Sequence, residues 1–346
     1  MNNGLFYGYI IVLFLKHKHA GDKKMKRKTG YLWLIAFCCL TFFGCSSLPV
    51  KKTETLSFAA GLTDAWDFGG YKIMYHKSGK GEPMIFLHNG GTDHRIWDFQ
   101  VKHFASTHTI YALDILGFGE SDKPRTSYSL DLYTKMVEGF VEDLNLSSVT
   151  LVGNCIGSST ALSYASQHPE KVKRLILFNI LTEDTLREGA YGYWRTMSRI
   201  PGGKGCLGFL APFVWVPDFY ITGEMGKLYG PNGLKGEPDS EFIDHLRMLF
   251  KKPEQMINLT SVLVNIKSYQ AIAIPPKGIE LPPICVFWGE QNRVLPAESS
   301  IGLCASYHFK EFHVIKDTGH FLMREEYEKI NAIMAKFIES PSSARP

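Results

Sequence analysis

The chain has 346 residues, 45% of them hydrophobic and 21% charged, with a formal net charge of +4. That apolar share can build a sizeable core and excludes a wholly disordered chain. The positive balance sits at one end: residues 1–44 hold seven Lys and Arg against Asp22 alone. The rest carries 31 basic and 33 acidic side chains, which excludes a basic, nucleic-acid-binding body.

Within this leader, Met25-Lys26-Arg27-Lys28-Thr29 is a basic start. Tyr31 to Phe43 is an apolar run too short to span a bilayer comfortably, and Gly44-Cys45-Ser46-Ser47 follows. A Cys directly after a small residue resembles a bacterial lipoprotein signal, which implies lipidation of Cys45 after cleavage. Residues 45–64 are then a tether, and the protein is held on the periplasmic face of an envelope membrane. Phe42 and Phe43 are bulkier than that pattern usually has. A second apolar run, Leu5 to Leu15, precedes Met25. Two readings stay open: translation from Met25, or an N-terminal membrane anchor made of both runs.

The body suits one large domain, or one domain with an insertion. Tyr71 to His76 alternates as a strand. Met84 to Leu87 is a buried strand ending in His88-Asn89-Gly90-Gly91. His94 to Phe104 reads as a helix with Ile96, Trp97, Val101 and Phe104 inward. Thr109 to Leu113 is a strand that ends in the segment from Asp114 to Pro124, and Leu130 to Leu144 is a helix. Val149 to Val152, Val172 to Phe178, Ile284 to Phe287 and Phe312 to Ile315 are further apolar strands, and Glu325 to Ile338 is a closing helix. Near-continuous apolar strands alternating with helices predict a parallel sheet covered on both faces, over residues 65–180 and 281–342. Residues 181–280 fit no such rhythm. They are rich in Gly and aromatics, among them Tyr191, Tyr193, Trp194, Phe209, Phe213, Trp215, Phe219 and Tyr220, and read as an inserted, mainly helical lid.

The chain is organised around Gly153-Asn154-Cys155-Ile156-Gly157, between the strand at Val149 and a helix-forming run from Ala161. A strand, a residue between glycines and a helix make the layout of a nucleophile elbow. The turn has no room for side chains at 153 and 157, and Cys155 is pushed out at a helix N-terminus. There the helix dipole and free N–H groups favour a thiolate and an oxyanion. G-x-C-x-G alone is weak, since a small buried Cys in a strand-to-helix turn looks the same.

Four stretches in order, each at a strand end, resemble the α/β-hydrolase family of the lidded type. They are His88 to Gly91, Asp114 to Pro124, Gly153 to Gly157, and Trp288-Gly289-Glu290 to Pro296 together with Asp317-Thr318-Gly319-His320. The resemblance implies an eight-stranded, mostly parallel α/β sheet and a triad in the order nucleophile, acid, His. It assigns Cys155 as nucleophile and His320 as base, with Gly319 letting its loop turn back to the elbow. The oxyanion donors it implies are the N–H of Ile156 and one from the loop after His88, at Gly90 or one residue away at Asn89. Asn89 stands where the family usually has Gly and tolerates positive φ.

The sequence departs from the family twice. Position 155 is Cys where Ser is usual, and position 292 is Asn where Gly289-Glu290-Gln291-Asn292 would carry an Asp. A Ser hydroxyl stays protonated until attack and wants an anion behind the imidazolium. A thiol ionises more easily, and a neutral amide then holds the ring, as in Cys-His-Asn triads. The expectation is a thiolate–imidazolium pair backed by Asn292. Glu183 or Asp184, after the sixth strand, is the alternative acid, although Thr182-Glu183-Asp184 also reads as a polar helix start.

The reaction this implies is hydrolysis of an ester, thioester or lactone through an acyl-cysteine. The alternatives are an acyltransferase with the same intermediate, or a non-catalytic receptor with the hydrolase fold. A small acyl substrate is the expected partner besides the membrane. No Cys/His spacing resembles a metal site, and no cofactor is implied.

Overall fold

The computed structural model describes residues 64–192, 223, 225–231, 233 and 240–341. All belong to the unit Thr55–Pro346. Cys45, both apolar runs of the leader, Cys206 and the aromatics from Tyr193 to Tyr220 lie outside them.

Eight strands form one sheet in the order β1-β2-β4-β3-β5-β6-β7-β8. They are β1 Asp64–Phe68, β2 Tyr71–Ser78, β3 Glu82–Leu87, β4 His108–Leu113, β5 Val149–Asn154, β6 Val172–Phe178, β7 Ile284–Gly289 and β8 Glu311–Ile315. Strands β3 to β8 pair in parallel, and β2 pairs antiparallel with both β1 and β4. The mostly parallel α/β sheet expected from the sequence is therefore present. The strands that were legible are the buried ones: Leu151, Val152, Leu175, Ile176, Leu177, Val286 and Phe287 are all wholly buried. β1 was not legible, because its DAWDF sequence is mostly exposed and shows no apolar run. Asp64, assigned above to a tether, opens this strand.

Among the described residues the α-helices in chain order are α1 Asp98–Phe104, α2 Leu130–Asp143, α3 Ile156–Gln167, α4 Glu183–Arg187, α5 Ser240–Phe250, α6 Pro253–Val264, α7 Ile301–Tyr307, α8 Leu322–Glu325 and α9 Tyr327–Glu339. The helix predicted from His94 begins as a 3-10 turn, His94–Trp97, and becomes α1 at Asp98. Asp93 explains that start: its carboxylate accepts the Arg95 N–H at 3.1 Å and caps the turn. Helices α4, α5 and α6 fall between β6 and β7, in the stretch read as an insertion.

Chain order places the site. From β3 the chain moves outward to β4, then returns to β5 on the other side of β3. The carboxyl ends of β3 and β5 therefore flank a topological switch point, where the loops diverge and leave a crevice. The loop after β3 carries His88 to Gly91, and Cys155 directly follows β5.

Candidate active site

Cys155 has φ 54° and ψ −109°, a left-handed backbone that a side chain rarely adopts. The surrounding packing enforces it. A Cβ on Gly153 would lie 2.4 Å from Gly157 C, and one on Gly157 would lie 2.0 Å from Leu87 O. The turn thus presses against β3, and both glycines are dictated by close approach. Ser158 ties the elbow down: its hydroxyl lies 2.7 Å from Gly153 O and 2.6 Å from Phe178 O, able to donate its one proton to either, and accepts the Phe178 N–H at 2.9 Å.

His320 lies beyond β8, and its backbone N–H donates to Leu228 O at 2.7 Å. Gly319 is needed for that approach, since a Cβ there would meet Tyr229 C at 2.5 Å. It is not a left-handed turn residue; the positive φ in this loop belongs to Asp317, at 56°. Cys155 and His320 face the same cavity, of about 50 Å³, together with Asn89, Gly90 and Ile156. Its walls are largely apolar, with Leu181, Leu186, Phe250, Leu259, Val262 and Val294 among them, and Tyr191 at the side.

Asn292 Oδ1 stands 3.3 Å from His320 Nδ1 and accepts the N–H groups of Val294 and Leu295 at 3.0 Å each. Those two main-chain donors decide which end of the amide is oxygen. The His320 Nδ1 must then carry the proton, and Nε2 keeps its lone pair. An Asp in this place would select the same tautomer.

The charge state differs from the sequence expectation. Burial pulls His320 down to about 3 from 6.5. Burial pushes the Cys155 thiol up to about 12, only partly offset by the Ile156 N–H. Cys155 is 8% and His320 1% exposed, so neither charge is solvated. The resting pair is therefore thiol and neutral imidazole. Desolvation of the elbow outweighs the helix dipole that was expected to favour a thiolate.

Of the two alternative acids, Asp184 is engaged elsewhere. The Asp184 carboxylate, exposed, takes its hydrogen bonds from Arg187 and from Gln270 Nε2 at 2.6 Å. Glu183 sits in the same first turn of α4, which Thr182 caps by accepting the Thr185 N–H at 3.0 Å.

In the loop after β3, Asn89 is not among the positive-φ residues; Gly91 is, at 83°. The Asn89 side chain instead accepts from Thr92 Oγ1 at 3.0 Å and Asn154 Nδ2 at 3.3 Å. His88 donates from Nδ1 to Asn89 O at 2.7 Å and accepts the Ile115 N–H on Nε2 at 3.0 Å. It is a neutral, buried brace of this loop. Asp114 holds the neighbouring turn, accepting from His94 N and Nδ1 at 2.8 Å each and from Glu120 N at 2.8 Å.

The sequence reading passed over Asn154 and Asn179 as separate actors. Asn179 follows β6 directly, has φ 47° and is wholly buried. A signal was available in retrospect: an Asn stands at or just beyond the carboxyl end of β3, β5, β6 and β7. Among the described residues no cluster of three His, Cys, Asp or Glu could hold a metal ion, and no helix is long and apolar enough to cross a membrane.

Comparison with known proteins agrees with this architecture. The chain is 24% identical over 284 residues to an uncharacterised protein of Mycobacterium tuberculosis, with 80% of each chain covered. It is 23% identical over 282 residues to a 2-hydroxymuconate semialdehyde hydrolase of a Pseudomonas strain, covering 80% of this chain and 93% of that one. A thermophilic esterase from Thermogutta terrifontis superposes with a TM-score of 0.63 at 17% identity, covering 81% of this chain and 98% of that one. The alpha/beta hydrolase fold model matches residues 82–327, and with the elbow, the strand order and the loop carrying His320 all in place, the chain belongs to the alpha/beta hydrolase fold family.

Proposed function

We propose that this α/β-hydrolase-family enzyme hydrolyses an ester, thioester or lactone through an acyl-cysteine, with Cys155 as nucleophile, His320 as base and Asn292 holding the ring. One observation carries the reading: the Asn292 Oδ1 contacts leave a neutral His320 with its Nε2 lone pair free, in the cavity that Cys155 faces. Similarity to a 2-hydroxymuconate semialdehyde hydrolase and an esterase supports hydrolysis as the reaction class.

His320 Nε2 takes the thiol proton as Sγ attacks the acyl carbon, forming the C–S bond. The oxyanion is held by the N–H of Ile156, at the start of α3, and by one from Gly90 or Asn89. Collapse expels the alcohol or thiol, which leaves with the proton from the imidazolium. Water, deprotonated by His320, then cleaves the thioester, releasing the acid and restoring the thiol. The mainly apolar walls suit the acyl side of a substrate without charge near the carbonyl. Lipidation at Cys45, and with it an envelope location, remains part of the proposal on sequence grounds.

The test uses short p-nitrophenyl esters. The expected result is turnover, with an acyl adduct on Cys155 trapped by acid quench and located by mass spectrometry. Neither should appear in Cys155→Ala. Turnover surviving that substitution would remove Cys155 as the nucleophile, and a wild-type chain with neither turnover nor acylation would favour the receptor reading. Product diverted to an added alcohol in preference to water would favour the transferase.

A further inference from the structure

The side chains of Asn292, Asn179, Asn154 and Asn89 form one hydrogen-bonded file. Asn292 Nδ2 donates to Asn179 Oδ1 at 2.9 Å, Asn179 Nδ2 to Asn154 Oδ1 at 2.9 Å, and Asn154 Nδ2 to Asn89 Oδ1 at 3.3 Å. Each Asn comes from the carboxyl end of a successive strand, in the sheet order β7, β6, β5 and β3. All four are at most 3% exposed. His320 Nδ1 feeds the file at one end, and at the other Asn89 belongs to the loop expected to supply an oxyanion donor.

The file has a direction, and main-chain groups lock it. Asn179 Oδ1 also accepts the Gly289 N–H at 3.3 Å, and its Nδ2 also donates to His320 O at 3.0 Å. Turning the Asn179 amide over would set oxygen against the His320 carbonyl and nitrogen against the Gly289 N–H. Neither main-chain partner can reverse its role. Asn179 therefore offers residue 292 an acceptor, and residue 292 must answer with a donor. An amide does so; an ionised carboxylate would place two oxygens about 3 Å apart in a buried site.

We infer that Asn179 is a positioning residue that selects a neutral amide, and not a carboxylate, as the third member of the site. This rests on the Cys155–His320–Asn292 reading and goes beyond it. Asn292 is then the member for which the neighbouring strand ends are built, and restoring the acid usual in the family would weaken the site.

The test compares wild type, Asn292→Asp, Asn179→Ser and the double variant by p-nitrophenyl ester kinetics, by thermal unfolding and by the NMR signal of the His320 Nδ1–H. A serine at 179 can rotate its hydroxyl and donate to a carboxylate. We expect Asn292→Asp to lower kcat at least about tenfold with little change in KM, to lower Tm, and to shift or lose the Nδ1–H signal. The double variant should recover part of each loss, which independent structural damage at two positions would not produce. An Asn292→Asp protein as active, as stable and with the same ring signal as wild type overturns the inference. Should the wild-type chain show no ester turnover, the catalytic reading fails by itself. The Tm and NMR comparisons then still decide whether Asn179 discriminates.

Discussion

Asn292 Oδ1 receives three donors at once, the ring N–H of His320 at 3.3 Å and the backbone N–H groups of Val294 and Leu295 at 3.0 Å. The amide can hold the ring, but it cannot neutralise an imidazolium. The tautomer and the orientation are provided, and the charge is not. Sulfur at position 155 tolerates that shortfall, because a thiol gives up its proton to a neutral imidazole at far lower cost than a hydroxyl does.

Removing the base or its holder should separate these contributions. His320→Ala should cost the general-base share, about 100- to 10,000-fold in kcat. Asn292→Ala should cost less, because the imidazole base is still present and loses only the group that fixes its tautomer and orientation. Steady-state kinetics on p-nitrophenyl esters measure both. Equal losses would mean that Asn292 does more than orient.

Cys155→Ser should be nearly as inactive as Cys155→Ala. A serine triad with Asn behind the His loses about four orders of magnitude, and here the His is also desolvated. Turnover and acyl-enzyme trapping provide the comparison. A serine variant within tenfold of wild type would remove the argument that sulfur and amide belong together.

The buried thiol sets how the protein meets alkylating agents. With Cys155 pushed up to about 12, native iodoacetamide labelling at pH 7 should be slower than that of a free thiol. It should still be climbing above pH 9. Site-resolved mass spectrometry from pH 6 to 10 follows Cys155 apart from Cys285 and Cys304. A rate already level near neutrality would reinstate the thiolate–imidazolium pair.

Stability should fall on the acid side. His320 binds a proton below 6.5 when unfolded but only near 3 when folded. Between those values the unfolded chain holds more protons, so unfolding free energy rises with pH by at most about 1.4 kcal/mol per unit. His94 works oppositely: burial lowers it, but the Asp114 carboxylate outweighs this and raises it to about 9. Its contribution is complete below 6.5 and disappears as pH rises through about 9. Denaturant melts from pH 4 to 9 on wild type and His320→Gln isolate the first effect. An unchanged acid slope in the variant would show that His320 is not buried neutral.

Gly157→Ala brings a Cβ to within 2.0 Å of Leu87 O, so β3 and the elbow must move apart. Overpacking of this kind costs about 1–3 kcal/mol. Thermal unfolding should show the loss of stability, and turnover should fall with it, since Cys155 and the loop after β3 lose their common register.

The sequence by itself determined the sheet, the elbow and the identities of Cys155, Asn292 and His320 as candidates. Buried parallel strands are apolar end to end, and a tight strand-to-helix turn admits only glycine at its flanks, so both leave marks in a one-dimensional string. β1 left none, because an exposed edge strand need not be apolar. Tertiary structure alone decided the protonation of the pair and the course of the asparagine file. Charge state depends on how completely surrounding elements exclude water from Cys155 and His320. The file depends on which strand ends become neighbours, an order that the sheet sets and the chain does not.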